Sequence, residues 1–239
     1  LVDPAWPTDG RAVGLDAFDQ VQESIISDGT GGCLIAWTDG RNPVTIYDVY
    51  VQHVFASGVV DPAWPVNGRP LCTADDGQGS QTMASDGAGG AIVVWHDFRT
   101  RTNWDIYAQH VLASGVVDAA WPANGRAICT AVSHQTYPTT VSDGAGGAIT
   151  TWEDRRGGAY DIYAQRVQAS GLVDPAWPAD GRAICTASGD QNTPQIVSDG
   201  ASPAGAIIGW PDRRGGVESD IYAQHVSFAG VVDPAWPGN

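Results

Sequence analysis

Four Trp-x-Asp-x-Arg segments recur at a spacing of about 57 residues, at Trp37/Asp39/Arg41, Trp95/Asp97/Arg99, Trp152/Asp154/Arg156 and Trp210/Asp212/Arg214. Each is preceded by Ser-Asp-Gly, with its aspartate at Asp28, Asp86, Asp143 and Asp199, and followed by a segment starting at Asp48, Asp105, Asp161 and Asp220. A unit repeated at such a period cannot bury its own apolar faces and must pack against its neighbours. The third unit reads as four short strands: Thr139–Ser142, Ala148–Glu153, Asp161–Val167 and Arg182–Thr186, separated by Gly- and Asp-rich links. In Asp161–Val167, Ile162, Ala164 and Arg166 face one way and Tyr163, Gln165 and Val167 the other, the alternation of a strand.

Four such units predict an all-β chain, a β-propeller of four four-stranded antiparallel blades forming one domain over residues 1–239. The blades fall near 24–73, 82–130, 139–186 and 195–226. The first strand-like run, Arg11–Gly14, corresponds to a fourth strand, whereas the last, Asp220–Val226, is a third. Their pairing would complete the last blade and close the ring, removing an exposed edge. A Trp-Pro segment occurs five times, at Trp6, Trp64, Trp121, Trp177 and Trp236, one more than a four-bladed ring needs. The surplus copy also fits a longer array or a segment that docks onto another molecule.

The 12 basic residues are all Arg, against 27 acidic ones of which three are Glu, giving a net charge of −15. That field repels phosphate, so a nucleic-acid partner is not expected. No apolar run is long enough for membrane insertion. Cys72, Cys129 and Cys185 sit at equivalent positions of different units, and Cys33 lies two strands from Cys72, so four free thiols are expected. No zinc pattern is present. Oxygen-rich turns such as Asp75-Asp76-Gly77 or Asp16 to Asp19 could supply ligands to a calcium ion, but neither matches the EF-hand or nonapeptide pattern; no cofactor is expected.

Units two to four resemble a repeat of bacterial secreted and cell-surface propeller-like proteins, Ser-Asp-Gly-x-Gly-Gly followed by Trp-x-Asp-x-Arg-x-Gly-x-x-Asp-Ile-Tyr-Ala-Gln-Arg-Val. The third unit is nearly complete from Ser142 to Val167; the first departs at Gly40, Asn42 and Val51, and the fourth inserts Ser202-Pro203. The resemblance implies a propeller and an extracellular or cell-surface location, and supplies no catalytic residue. A weaker resemblance is to the sialidase Asp box, although nine residues separate Asp143 from Trp152.

In a meander blade, the loops between strands two and three share a face with the links between blades. That face collects the Trp-x-Asp-x-Arg residues, read as a structural clamp because a ring scaffold repeats its contacts. Residues that break the repeat there are the candidate ligand contacts: Arg101 and Trp104, Arg155 and Tyr160, Arg213 and Glu218. Aromatic faces and guanidinium groups suit sugar rings and hydroxyls. The expectation is therefore a non-catalytic extracellular module binding or organising a polymer such as glycan. Two alternatives are a building block of an extracellular assembly, involving self-association, and a propeller-type carbohydrate hydrolase. No catalytic signature argues for an enzyme.

Overall fold

A computed structural model of the chain describes residue 4 and residues 6–237. Asp3 and Ala5 of the first Trp-Pro segment, and Gly238–Asn239 after the last, lie outside the described residues. Among the described residues there are fifteen strands and no helix, and the strands form four antiparallel meander sheets. Sheet one holds β1 (Gln20–Ser27), β2 (Cys33–Asp39), β3 (Asp48–Val54) and β4 (Arg69–Cys72). Sheet two holds β5 (Gln78–Ser85), β6 (Ala91–Asp97), β7 (Asp105–Val111) and β8 (Arg126–Cys129). Sheet three holds β9 (Gln135–Ser142), β10 (Ala148–Asp154), β11 (Asp161–Val167) and β12 (Arg182–Cys185). Sheet four has three strands, β13 (Gln195–Ser198), β14 (Ala206–Asp212) and β15 (Asp220–Val226).

The strand alternation puts a different apolar set on each face of a sheet, and neighbouring sheets interlock these sets. Leu34, Ala36, Val49 and Val51 of sheet one meet Met83, Val93 and Trp95 of sheet two in one core. Ile92, Ile106 and Ala108 meet Ala148, Trp152 and Val167 in a second, and Ile149, Ile162 and Ala164 meet Ala206, Ile208 and Trp210 in a third. Four sheets are thus joined by three cores among the described residues, with the first strands β1, β5, β9 and β13 side by side.

Closure through Arg11–Gly14 is not seen. Those residues form no strand, and β15 has β14 as its one neighbour in the sheet. Instead Arg11 Nε donates to Gly58 O (2.8 Å) and the Leu15 amide to Asn67 Oδ1 (3.0 Å), which seats the segment on sheet one. The same bonds recur between sheets, from Arg69 to Gly115 O (2.7 Å), Arg126 to Gly171 O (2.7 Å) and Arg182 to Gly230 O (2.8 Å). The four cysteines are free, as expected. Burial pushes the thiols of Cys72 and Cys129 up to about 12, so they stay protonated. No helix among the described residues is long and apolar enough to cross a membrane.

The Trp-x-Asp-x-Arg clamp explains the strictness of its repeat. Asp39 is fully buried, accepting the Trp37 indole N–H (2.7 Å), the Arg41 amide (2.9 Å) and both Arg41 Nε (2.8 Å) and Nη2 (2.5 Å). Asp97, Asp154 and Asp212 accept the same set from Trp95 and Arg99, Trp152 and Arg156, and Trp210 and Arg214. Each of these Arg also lies over a tyrosine ring, at 3.8 to 4.0 Å. Burial opposes ionisation of Asp212, yet the Arg214 and Trp210 bonds outweigh it and draw the carboxyl down to about 2.

At the opposite ends of the strands, a second clamp holds the hairpin to the Trp-Pro loop. His53 faces Asp28 (3.0 Å) and Asp61 (2.9 Å), His110 faces Asp86 and Asp118, and His225 faces Asp199 and Asp233. In sheet three Arg166 takes the same place between Asp143 and Asp174. The clamp accounts for the recurrence of His53, His110 and His225 at one strand position. An imidazole bonds two carboxylates at once only as the imidazolium, because the neutral ring has one N–H.

Both the tight glycine turns and the histidine clamps have measurable consequences for stability. Gly87 and Gly125 both have positive φ (77° and 94°), but a Cβ on Gly87 meets nothing within 4 Å whereas one on Gly125 would lie 2.7 Å from the Trp95 ring. Gly87→Ala should cost about 1–2 kcal/mol, and Gly125→Ala distinctly more, as read from urea midpoints. Burial alone would lower the His53 pKa, but its bonds to Asp61 and Asp28 raise it above the usual histidine value; the bond to Asp199 leads the same rise at His225. Their contribution is complete below about pH 6.5 and lost as pH rises through the folded-state values. Asp28, held low mainly by His53, loses its contribution as pH falls below the usual carboxylate range. Thermal stability should therefore fall on the alkaline side, and the double variant His53→Arg/His225→Arg should flatten that slope.

Candidate functional site

Each first strand carries one extra residue at the same point. The register slips by one between Val21 and Ser24 of β1, between Gly79 and Thr82 of β5, and opposite Thr151/Glu153 along β9. Before β13 it slips between the Gln191–Asp212 bridge and the Gln195–Gly209 pair. The residue two beyond each repeated glutamine takes up the extra length at positive φ, namely Gln22 (57°), Ser80 (50°), Tyr137 (51°) and Thr193 (43°). None is glycine, so each position stores backbone strain of about 1–3 kcal/mol, and strain of this kind concentrates at binding and catalytic sites.

The four bulges converge on one funnel-like cavity of about 340 Å³. Gln22 and Glu23 line it from sheet one, Ser80 and Gln81 from sheet two, Tyr137 and Pro138 from sheet three, and Thr193 and Pro194 from the start of sheet four. The bulges lie near the strand ends that pair with Asp39, Asp97, Asp154 and Asp212, close to the loops where the candidate contacts sit.

In the first three units the residue between Trp and Asp faces away from the clamp and meets the bulge region of the next sheet. The Thr38 hydroxyl lies between Gln81 Oε1 (2.8 Å) and Gln22 Oε1 (3.2 Å), and the Ser80 amide donates to Gln22 Oε1 (3.0 Å). His96 meets the Tyr137 ring edge-on with centroids 5.9 Å apart. Burial lowers the His96 pKa to about 4, and its Nδ1 has no partner among the described residues. Glu153 Oε1 accepts the Thr193 amide (2.7 Å), and burial raises its pKa above the usual glutamate value. Thr38, His96, Glu153 and Pro211 differ in every unit, as do the bulge residues.

None of the six residues expected to contact ligand lines the cavity. Trp104 is half-buried, 4.9 Å from Phe98 and 4.4 Å from His96, so a ladder of rings runs from its loop to Tyr137 in the funnel. Arg101 is exposed and bonded to Asp76. Arg155 lies over the Tyr160 ring at 4.8 Å. Arg213 Nε donates to Ser219 Oγ (3.1 Å), and Glu218 is exposed beside it. Sequence reasoning missed the inner positions, although the residue two after each repeated glutamine breaks the repeat every time. Among the described residues, no group of three His, Cys, Asp or Glu is arranged to hold a metal ion. The strand-start Asp48, Asp105 and Asp161 are buried, and burial pushes each up to about 6.

No protein-family model and no curated protein matches the chain. Its fold is similar to solved structures. One is a Cellvibrio cellulosa α-L-arabinanase complexed with arabinohexaose, at TM-score 0.50 and 11% identity over 92% of this chain and 79% of that one. A thermostable family-43 glycoside hydrolase gives 0.52 and 8% over 93% and 77%. The Hadza microbial sialidase Hz136 gives 0.50 and 11% over 88% of this chain and 45% of its own. These likenesses convey the fold. They also correct the expectation of a non-catalytic chain as far as the fold goes, since two of these structures are by name an arabinanase and a glycoside hydrolase on the same fold.

If the bulges are held for the cavity rather than for the sheet, relieving one should cost little stability. Tyr137 is 55% exposed and strained. Tyr137→Gly should leave the melting temperature unchanged or slightly raised, since the strain relieved, about 1 kcal/mol, offsets the little packing that so exposed a ring provides.

Proposed function

We propose that the chain is a propeller-type glycoside hydrolase acting on polymeric carbohydrate outside the cell, with the funnel as its site. The observation that carries this reading is the convergence of four strained, unit-specific bulges on one cavity lined by a carboxylate, an aromatic ring and three amides. A scaffold needs its repeated residues, whereas an asymmetric substrate needs the ones that differ, and here the differing ones share a cavity. The fold likeness to an arabinanase supports a sugar polymer as substrate.

Hydrolysis of a glycosidic bond uses two carboxyl groups, one protonating the leaving oxygen and one acting from the other side of the sugar. Glu23 lines the funnel and takes the second role. Glu153 is buried behind the lining, bonded to the amide of Thr193, which does line the funnel, and burial raises its pKa, the direction that keeps a proton available for donation. Tyr137 offers a ring face for stacking, and the Gln22 and Gln81 amides can bond hydroxyl groups.

The test is release of reducing ends from arabinan and a panel of other polysaccharides. Glu23→Gln and Glu153→Gln should each lower turnover by about 10²–10⁴-fold with the fold intact. Activity of the unaltered protein should decline as pH rises through the raised Glu153 value. Absence of release from every polymer, or full activity in both variants, would overturn the reading.

A further inference from the structure

We propose that a second copy of this chain docks head to tail, sheet four of one against sheet one of the next. Each end of the row of described sheets presents one half of the joint that its own interior makes three times.

The outgoing face of sheet three is Val141, Ile149, Ile162 and Ala164, and it packs on sheet four with Ile149, Ile162 and Ala164 at 0% exposure. The equivalent residues of sheet four are Val197, Ile207, Ile221 and Ala223, as the strand registers fix. There Ile221 is 79% and Val197 59% exposed. The incoming face of sheet two is Met83, Ala91 and Val93, all buried against sheet one. Its equivalents in sheet one are Ile25, Cys33 and Ile35, with Ile25 63% exposed. An isoleucine-rich face of each kind is therefore left open, and the partner whose shape fits each is the other.

The N-terminal segment adds the missing strand. Arg11 already holds, on Gly58, the bond by which the outer strand of each sheet grips the following sheet. Among the described residues, β15 lacks the outer strand that β3, β7 and β11 have. Docking sets residues 11–14 of one copy beside β15 of the other, so backbone pairing accompanies apolar burial. Gly58 has room for one tryptophan and holds Trp6, as Gly115 holds Trp64; the incoming Trp236 competes for that seat, and the Trp6 segment gives way to it. Such a joint is heterologous, producing a ring or a filament.

Light scattering across a concentration series tests this. The unaltered chain should increase in mass with concentration. Ile25→Arg removes the incoming face of sheet one and Ile221→Arg the outgoing face of sheet four. Both positions are exposed, so each variant should keep its melting temperature and run as a single chain. An equal mixture should give a species of two chains and nothing larger, because one intact face remains on each partner. A mass of one chain for the unaltered protein at every concentration would overturn the proposal. So would a mixture that stays at one chain, as it would if residues 11–14 paired with β15 of their own chain. Association is read independently of turnover, so its failure leaves the hydrolase reading untouched.

Discussion

A buried carboxylate is what every sheet is built around. Asp39, Asp97, Asp154 and Asp212 each sit at the end of a second strand with almost no solvent contact, taking the indole N–H of one side chain and the guanidinium fork of another. An ionised group there is tolerated because its oxygens are filled by donors, two of them charged. In satisfying it, the chain fixes the tryptophan between sheets and the arginine over a tyrosine ring. The three inter-sheet cores inherit their spacing from that wedge.

The need to repeat this clamp accounts for what could be read from the residues alone. Strand positions, the four-unit count and the free thiols were legible because alternation and spacing encode them directly. The histidine clamps were visible only as recurring residues: nothing in the local spacing says that His53 reaches Asp28 and Asp61, which are 25 and 8 residues away along the chain. Closure between Arg11–Gly14 and β15 was a reasonable inference from strand count, yet that segment rests on sheet one, where Arg11 finds Gly58.

The funnel was the least legible part. A bulge costs one residue in an eight-residue strand, and neither Tyr137 nor Ser80, the residues at positive φ, is itself a glycine that would mark it. Attention to variable loops found Trp104, whose ring leads inward through His96, but stopped at the rim. Labour in the molecule is divided between two sets of side chains. Repeated residues build the frame, and the residues that support or form the bulges, Thr38, His96 and Glu153 on one side and Ser80, Tyr137 and Thr193 on the other, give each quadrant of the cavity a different chemistry.

The claim on which the account stands is that sugar is bound where these strained strands meet. A crystal structure of the protein soaked with an arabino-oligosaccharide addresses it directly. The account requires a sugar ring against Tyr137 with hydroxyl groups in reach of Glu23 and Gln81. Sugar held only at the outer Arg155–Tyr160 pair, with the central cavity holding none, would contradict it.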